Sequence, residues 1–563
     1  MDQLLKIITF ILAIFPLLNL DANTILANQD NLPTSIVNTL EPESMMSNKL
    51  SDKPSISENK FSENTVNMTE GNPLSLTLKD TIIRTLDNNI SIAVEEFNSK
   101  VKKENVIESQ SEFDATFEVD LSIEETIRQQ ASAFSSPNKS RNYNHIWDFS
   151  LTQKLGTGAD YELSFTNKRN KSNSVTLGLN PNYSTGLEFI ITQPLLKNFG
   201  TDLNKRNIYI ANNEVNISNY EFKGKVIEVI SNVENLYWDL VFSLKNLKVK
   251  EKSLERAKDL ERRVKAQVLV GTMAEIEILQ AKSEVASREE SLLVAQDVIK
   301  DDEDNLKNIL NINFSSPEGF SSIYPSDEPN MVIEEVDLDV AIKEALSNRP
   351  DYLLKKKELE NQNIIVKYQE NQIYPSIDLV GSLGVNGLSG NAIEVTSGTF
   401  TGKSSFGGDY GEALSHALSA DYLDWELGVK LSYPLGNRSA KSKLSASRLE
   451  AAKLILNIKE LEREIIVEVR EAARQLKTDI KRVAASRIAK KLAEEKLKGE
   501  EKKFQVGLST SFNILEFQED LTKEQSNEIK AIIDYNQSKI RLHQVMASTL
   551  TFYNIKLQDK ESL

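Results

Sequence analysis

TGLEFIITQPLLKNFG at residues 185–200 and ELGVKLSYPLGNRSA at residues 426–440 follow one plan. Before Pro194, the apolar residues Leu187, Phe189 and Ile191 fall on alternate positions; before Pro434, so do Trp425, Leu427, Val429, Leu431 and Tyr433. A period of two belongs to a strand with one apolar face. Past each proline and a short polar turn, the apolar spacing becomes helical and stays so for over a hundred residues. The chain passes from strand to very long helix twice, at Pro194 and Pro434.

A second landmark follows each joint, VLVGT at Gly271 and FQVGLST at Gly507. From Ile208 and Leu444 onward a constant offset of 236 aligns the two halves, pairing Glu214 with Glu450 and Ile278 with Ile514. Upstream, LKDTIIRTLDNN (78–89) and LDVAIKEALSNR (338–349) pair at an offset of 260. The sequence is a duplication, with repeats expected at 73–330 and 331–563.

Residues 1–27 carry Lys6 and then an apolar run from Ile7 to Leu20, too short for a membrane span of about 20 residues. They read as a secretory signal peptide, cleaved after Ala22 or Ala27. Residues 28–72, rich in Asn, Ser, Glu and Pro, read as a disordered linker. Leu74 to about Val106 reads as one helix. Phe113 to Ile123 alternates with acidic and polar residues, and Trp147, Phe149 and Leu151, then Tyr161, Leu163 and Phe165, continue the pattern around a GTG turn at 156–158. In the second half Ile377, Leu379, Leu383 and Val385 precede a Gly/Ser-rich loop from Gly387 to about Leu423.

Strands of about 9 to 13 residues fit a tilted crossing of a bilayer, whereas soluble sandwiches use shorter ones of about 5 to 6. Trp147 and Trp425 sit at strand beginnings, where an interfacial aromatic belt is expected. All fourteen prolines lie outside 195–316 and 435–563, so each window can hold helices of about 60 residues, roughly 90 Å long. In the second window the run Leu454, Ile458, Leu461, Ile465, Val469, Ala472, Leu476, Ile480, Val483 keeps an eleven-residue beat, which predicts straight or slightly right-handed packing. Gly271 and Gly507 then mark the turns of antiparallel helix pairs.

QPLLKNFG, YPLGN, VGLST followed by FNILEFQ, and LKDTIIRTLDNN resemble the motifs of the TolC family of outer-membrane channels, over about residues 73–555. The resemblance implies an α+β membrane protein: a homotrimer whose strands form one transmembrane β-barrel in outer-membrane lipid, continued by a long α-helical barrel in the periplasm. It implies a periplasmic adaptor and an inner-membrane transporter as partners, in efflux or type I secretion. By position it places the narrow periplasmic entrance at Asn513 and Glu516, with Glu277 and Gln280 as the equivalents in the first repeat. Asn513 departs from the family's acidic pattern there; Glu516 keeps a carboxylate. The GTG hairpin is a second departure: inside the barrel it raises the strand count above the family's four per chain, and as an outer loop it leaves four.

The net charge of −16 suits a solvated wall and disfavours nucleic-acid binding. Cysteine is absent, and His145, His416 and His543 are scattered over two loops and a helix. Asp301 and Asp302 read as part of a solvated helix face. No enzyme, cofactor or metal site is expected. The competing class is a periplasmic helical adaptor or structural coiled coil, which leaves the alternating strands unexplained.

Overall fold

The computed structural model describes residues 73–129, 139–175, 177–331, 336–397 and 400–557. The expected signal peptide and linker, residues 1–27 and 28–72, lie outside the described residues. The first element is a short strand, β1 (Leu74–Leu76), which pairs in parallel with β6 (Ile323–Pro325). Two helices follow, α1 (Leu78–Asn88) and α2 (Ile90–Gln110). The single helix expected from Leu74 to Val106 is therefore corrected. Leu74 is in a strand, Thr77 starts α1 by accepting from the Asp80 amide at 3.1 Å, and Asn89 starts α2 by accepting from the Ile92 amide at 3.2 Å. Such caps satisfy amides that a helix start leaves without a partner.

The second repeat copies this break. Helix α5 (Leu338–Asn348) has the same length as α1, 11 residues, and α6 (Pro350–Asn371) starts on a proline, whose missing N–H costs nothing at that position. The long helices α3 (Arg206–Leu269) and α8 (Arg438–Gln505) hold 64 and 68 residues, about 96 and 102 Å. Each returns as an antiparallel partner, α4 (Ile276–Ile309) and α9 (Ser511–Met546). A 236-residue offset relates the ends of α3 and α8, and the extra length of α8 lies at the joint. The eleven-residue run in α8 is the buried stripe: Ile465, Val469, Ala472, Leu476 and Val483 pack with Tyr535 and Leu542 of α9. Val226, Ile230 and Val233 of α3 pack beside Ile82 and Ile92 of α1 and α2. Each Val, Leu or Ile among them contributes roughly 1.5–3 kcal/mol by burial.

The strands form one antiparallel sheet of six, in the order β10-β7-β5-β4-β3-β2. These are β2 (Thr116–Gln129), β3 (Lys139–Lys154), β4 (Asp160–Ser172), β5 (Leu179–Pro194), β7 (Ser376–Ala392) and β10 (Leu423–Ser432). The GTG turn joins β3 to β4 inside this sheet, so the hairpin is not an outer loop. β4 and β10, at 13 and 10 residues, match the expected 9 to 13, whereas β2, β3, β5 and β7 reach 14 to 17 because they run on past their apolar stretch into polar residues.

The expected Gly/Ser loop contains a two-residue-spaced hairpin, β8 (Glu394–Ser397) with β9 (Phe400–Lys403), and a helix, α7 (Tyr410–Leu418). Asp409 caps that helix by accepting from the Glu412 amide at 3.3 Å. Ala413 and Ala417, one turn apart, are buried against β7, where a Cβ on Gly387 would lie 1.9 Å from the Ala413 carbonyl oxygen. Gly387 thus serves close packing. His416 is on this helix and His145 on β3, not in loops as expected. Replacing Gly387 with Val should lift α7 from the sheet and raise protease cleavage between residues 404 and 422 several-fold, with the mass of the detergent-solubilised particle unchanged.

Candidate functional site

The sheet has two chemically opposite faces. One hydrogen-bonded row crosses all six strands as Phe117, Leu151, Leu163, Phe189, Leu383 and Trp425, and another as Val119, Phe149, Phe165, Leu187, Val385 and Leu423. Between them lies the row Glu118, Ser150, Ser164, Glu188, Gly384 and Asp424, pointing the other way. Phe117, Phe149 and Phe165 stack across the sheet with centroids 6.4 and 6.3 Å apart. The apolar face stays open: Phe117, Leu121, Trp425 and Leu427 are between 51 % and 72 % exposed. A face of that kind needs lipid, and the acid-bearing face needs water.

Trp425 lies near the start of β10, as expected, but Trp147 is in the middle of β3. The strand begins eight residues earlier than its apolar stretch, because Lys139 to Ile146 pair with β2 above it. Trp147 marks the end of the apolar stretch on β3; there Tyr410 of α7 packs edge-on against it at 5.3 Å and donates to the Asn167 side-chain oxygen at 2.7 Å.

The joints are held by polar groups between the end of α6 and the start of β7. After Pro194 the Leu195 amide donates to the Ile377 carbonyl at 2.7 Å, and the Asn198 amide donates to Asn371 Oδ1 at 2.7 Å. After Pro434, Asn437 Nδ2 donates to the Ile373 carbonyl at 2.9 Å. Residues 371–377 therefore clamp both strand-to-helix passages of the chain.

At the opposite end, Gly271 and Gly507 adopt φ of +78° and +77°. The Gly271 amide donates to the Val268 carbonyl and the Thr272 amide to the Gln267 carbonyl, each at 3.0 Å; Gly507 and Leu508 repeat this with Phe504 and Lys503 at 3.1 and 2.9 Å. This pair of hydrogen bonds closes a helix over a left-handed residue. Of the four residues expected at the entrance, Glu277 accepts a hydrogen bond from the Ser511 hydroxyl, which joins the two helix pairs near their tips. The Asn513 amide is capped by Thr510 Oγ1 at 3.4 Å, Gln280 is half-buried, and Glu516 is exposed without an ion pair among the described residues.

A further link between helix pairs escaped the sequence. Thr522 of α9 donates to Ser253 of α3 at 3.0 Å, and Arg256 Nη2 donates to Thr522 Oγ1 and Gln525 Oε1 at 3.3 and 3.4 Å. Burial first, and the neighbouring Arg288 second, hold the Arg256 guanidinium below its ordinary value. These partners are more than 260 residues apart, so no local pattern announces them. Asp302 is half-buried and accepts from Ser243 at 2.5 Å, so it ties α4 to α3 and is not a plain solvated side chain; Asp301 is exposed. Among the described residues no helix is long and apolar enough to cross a membrane, and no cluster of three potential metal ligands occurs.

The family model described as outer membrane efflux protein matches residues 160–311 and 341–548, well over half the chain. No curated protein matches. Among solved structures, a membrane protein from Pseudomonas aeruginosa aligns with TM-score 0.60 at 14% identity, over 83% of this chain and 93% of that one. The CmeC outer membrane channel of Campylobacter jejuni aligns with TM-score 0.58 at 14% identity, over 88% and 94%. The outer membrane protein VceC of Vibrio cholerae aligns with TM-score 0.57 at 16% identity, over 83% and 95%. These likenesses establish a shared fold.

Where α3 meets the C-terminal segment, Glu234 is buried and accepts a hydrogen bond from the Tyr553 hydroxyl. Burial pushes its carboxyl from 4.5 up to about 7, against the Tyr553 bond and the attraction of Lys539. An acid with a raised folded value binds more protons folded than unfolded. Its cost to stability is absent well below 4.5, grows between 4.5 and 7, and is complete above 7, on the order of 3 kcal/mol. Glu234→Gln keeps an acceptor for Tyr553, so it should raise the unfolding midpoint by several degrees at pH 8 and leave it unchanged at pH 4.

Proposed function

The chain belongs to the outer membrane efflux protein family, and on that premise we propose that three copies join to form a passive exit duct across the outer membrane. The observation that carries this reading is the six-stranded sheet, lipid-facing on one side and water-facing on the other, continuous at both Pro194 and Pro434 with helices of 64 and 68 residues. A strand in hydrocarbon cannot leave its edge unpaired, so one chain is incomplete alone. The helices have narrow buried stripes and many charged exposed residues, which suits the wall of a water-filled tube. In the adaptor or coiled-coil reading the open apolar face of the sheet has no partner.

We place the two repeats at 73–330 and 331–563, with the tips at Gly271 and Gly507 as the periplasmic entrance. A periplasmic adaptor and an inner-membrane transporter supply cargo there; outer-membrane lipid surrounds the barrel. The duct performs no catalysis and takes no cofactor, and its choice of cargo resides in those partners. Glu516 is the entrance residue best suited to face passing ions, since Glu277 is engaged by Ser511 and Asn513 is neutral. Three Glu516 carboxylates at a constriction favour cations.

Purified from detergent into a planar bilayer, the protein should give steady, cation-selective conductance from a particle of trimeric mass. Glu516→Gln should lower the preference for potassium over chloride without changing that mass. A monomer without conductance would sink the duct reading, and an unchanged selectivity would remove Glu516 from the constriction.

A further inference from the structure

The two outer strands of the sheet, β2 and β10, are exposed along nearly their whole length, and each has one edge with no neighbouring strand among the described residues. β2 rises away from the helices and β10 descends toward them, so the free edge of one copy meets that of the next in antiparallel fashion. Resting on the exit-duct reading above, we propose that β2 of each copy pairs with β10 of the next, and that three copies close an 18-stranded barrel. The four strands per chain expected of this family would give only twelve.

The slip of the apolar stretch across the sheet fixes the register. Leu427, the middle of the stretch on β10, lies in a row with Gly381, Ile191, Tyr161 and Gln153. Extended to β2, that row passes just below Thr116, whereas the stretch on β2 runs from Phe117 to Ile123. The apolar centre has shifted about five residues in five strand steps, or about one per strand. With ~3.3 Å per residue and ~4.8 Å between strands, this is a tilt of about 35°, the ordinary value for a closed barrel.

Carrying the same slip across the contact sets Leu427 opposite Leu121 of the next copy, Val429 opposite Val119 and Leu431 opposite Phe117. From Trp425 opposite Ile123 down to Leu431 opposite Phe117, apolar residues then meet on the lipid side, and Leu423 falls opposite Glu125 at the edge of the stretch. On the water side Lys430, which has no ion pair among the described residues of its own chain, comes opposite Glu118. The same register sets Asp424 opposite Glu124 nearer the far rim, where water screens the pair. Eighteen strands at this tilt enclose a backbone cylinder about 34 Å across, against about 22 Å for twelve.

The chain contains no cysteine, so paired cysteines report the edge contact without background. Val119→Cys with Val429→Cys should, on oxidation of the membrane-embedded full chain, give covalent dimers and trimers that reductant removes. Leu163→Cys with Leu427→Cys, which would join β4 to β10 in a twelve-stranded barrel, should stay monomeric on the same gel. Cross-linking through Leu163, or through neither pair in a particle of trimeric mass that conducts, overturns the 18-stranded closure while leaving the duct standing. A particle of monomeric mass without conductance, with either pair, overturns the duct itself. The single-cysteine variants confirm that each substitution is tolerated, by the same mass and conductance.

Discussion

Every backbone N–H and C=O placed in hydrocarbon must find a partner in the protein, and the rest of this architecture follows from that constraint. It forces the barrel strands into one continuous ladder, and Phe117 to Trp425 form a row through all six. It also turns the strands' period of two into a division of solvents, with Phe149 and Leu187 on one face and Asp148 and Glu188 on the other. Both chain crossings must end at the same side, which an even number of strands guarantees, and there Asn371 and Ile373 hold the passages into α3 and α8.

Beyond the membrane the constraint changes. Water satisfies exposed backbone groups, so helices can be as long as packing supports, and α3 and α8 are supported along narrow stripes. Polar ties fill the gaps between stripes: Ser243 with Asp302, Thr522 with Ser253, Ser511 with Glu277. Each ties one helix to another at a fixed height, which apolar contacts alone leave free to slide.

Most of this fold was legible because its signals are local and repeated. The alternation before Pro194 and Pro434, the proline-free windows and the tip glycines each follow from a few neighbouring residues. The misread parts depend on something farther away or finer. The break at Asn89 hides within continuous helical spacing, and only capping by its side chain reveals it. The Gly/Ser segment after Gly387 looked like a loop, although Asp409 and Glu412 have the spacing of a helix start. Strand β1 depends on pairing with Ile323, about 250 residues away. Among the residues proposed for the entrance, position in the repeat pairs the two halves, but only the fold separates the engaged Glu277 from the exposed Glu516. The Arg256–Thr522 link was invisible because its partners share no segment.

The glycines of this chain serve two different currencies of constraint. At Gly271 and Gly507 no atom lies within 4 Å of where a Cβ would stand, yet both have positive φ. At Gly387 the reverse holds, since the obstacle is the Ala413 carbonyl and no such torsion is required. The tips are thus torsionally strict and sterically vacant: an added Cβ would touch nothing there, and the torsion alone excludes an ordinary side chain. The space around each turn remains open for whatever the tips meet outside the chain, and the turn's shape is set by the backbone alone.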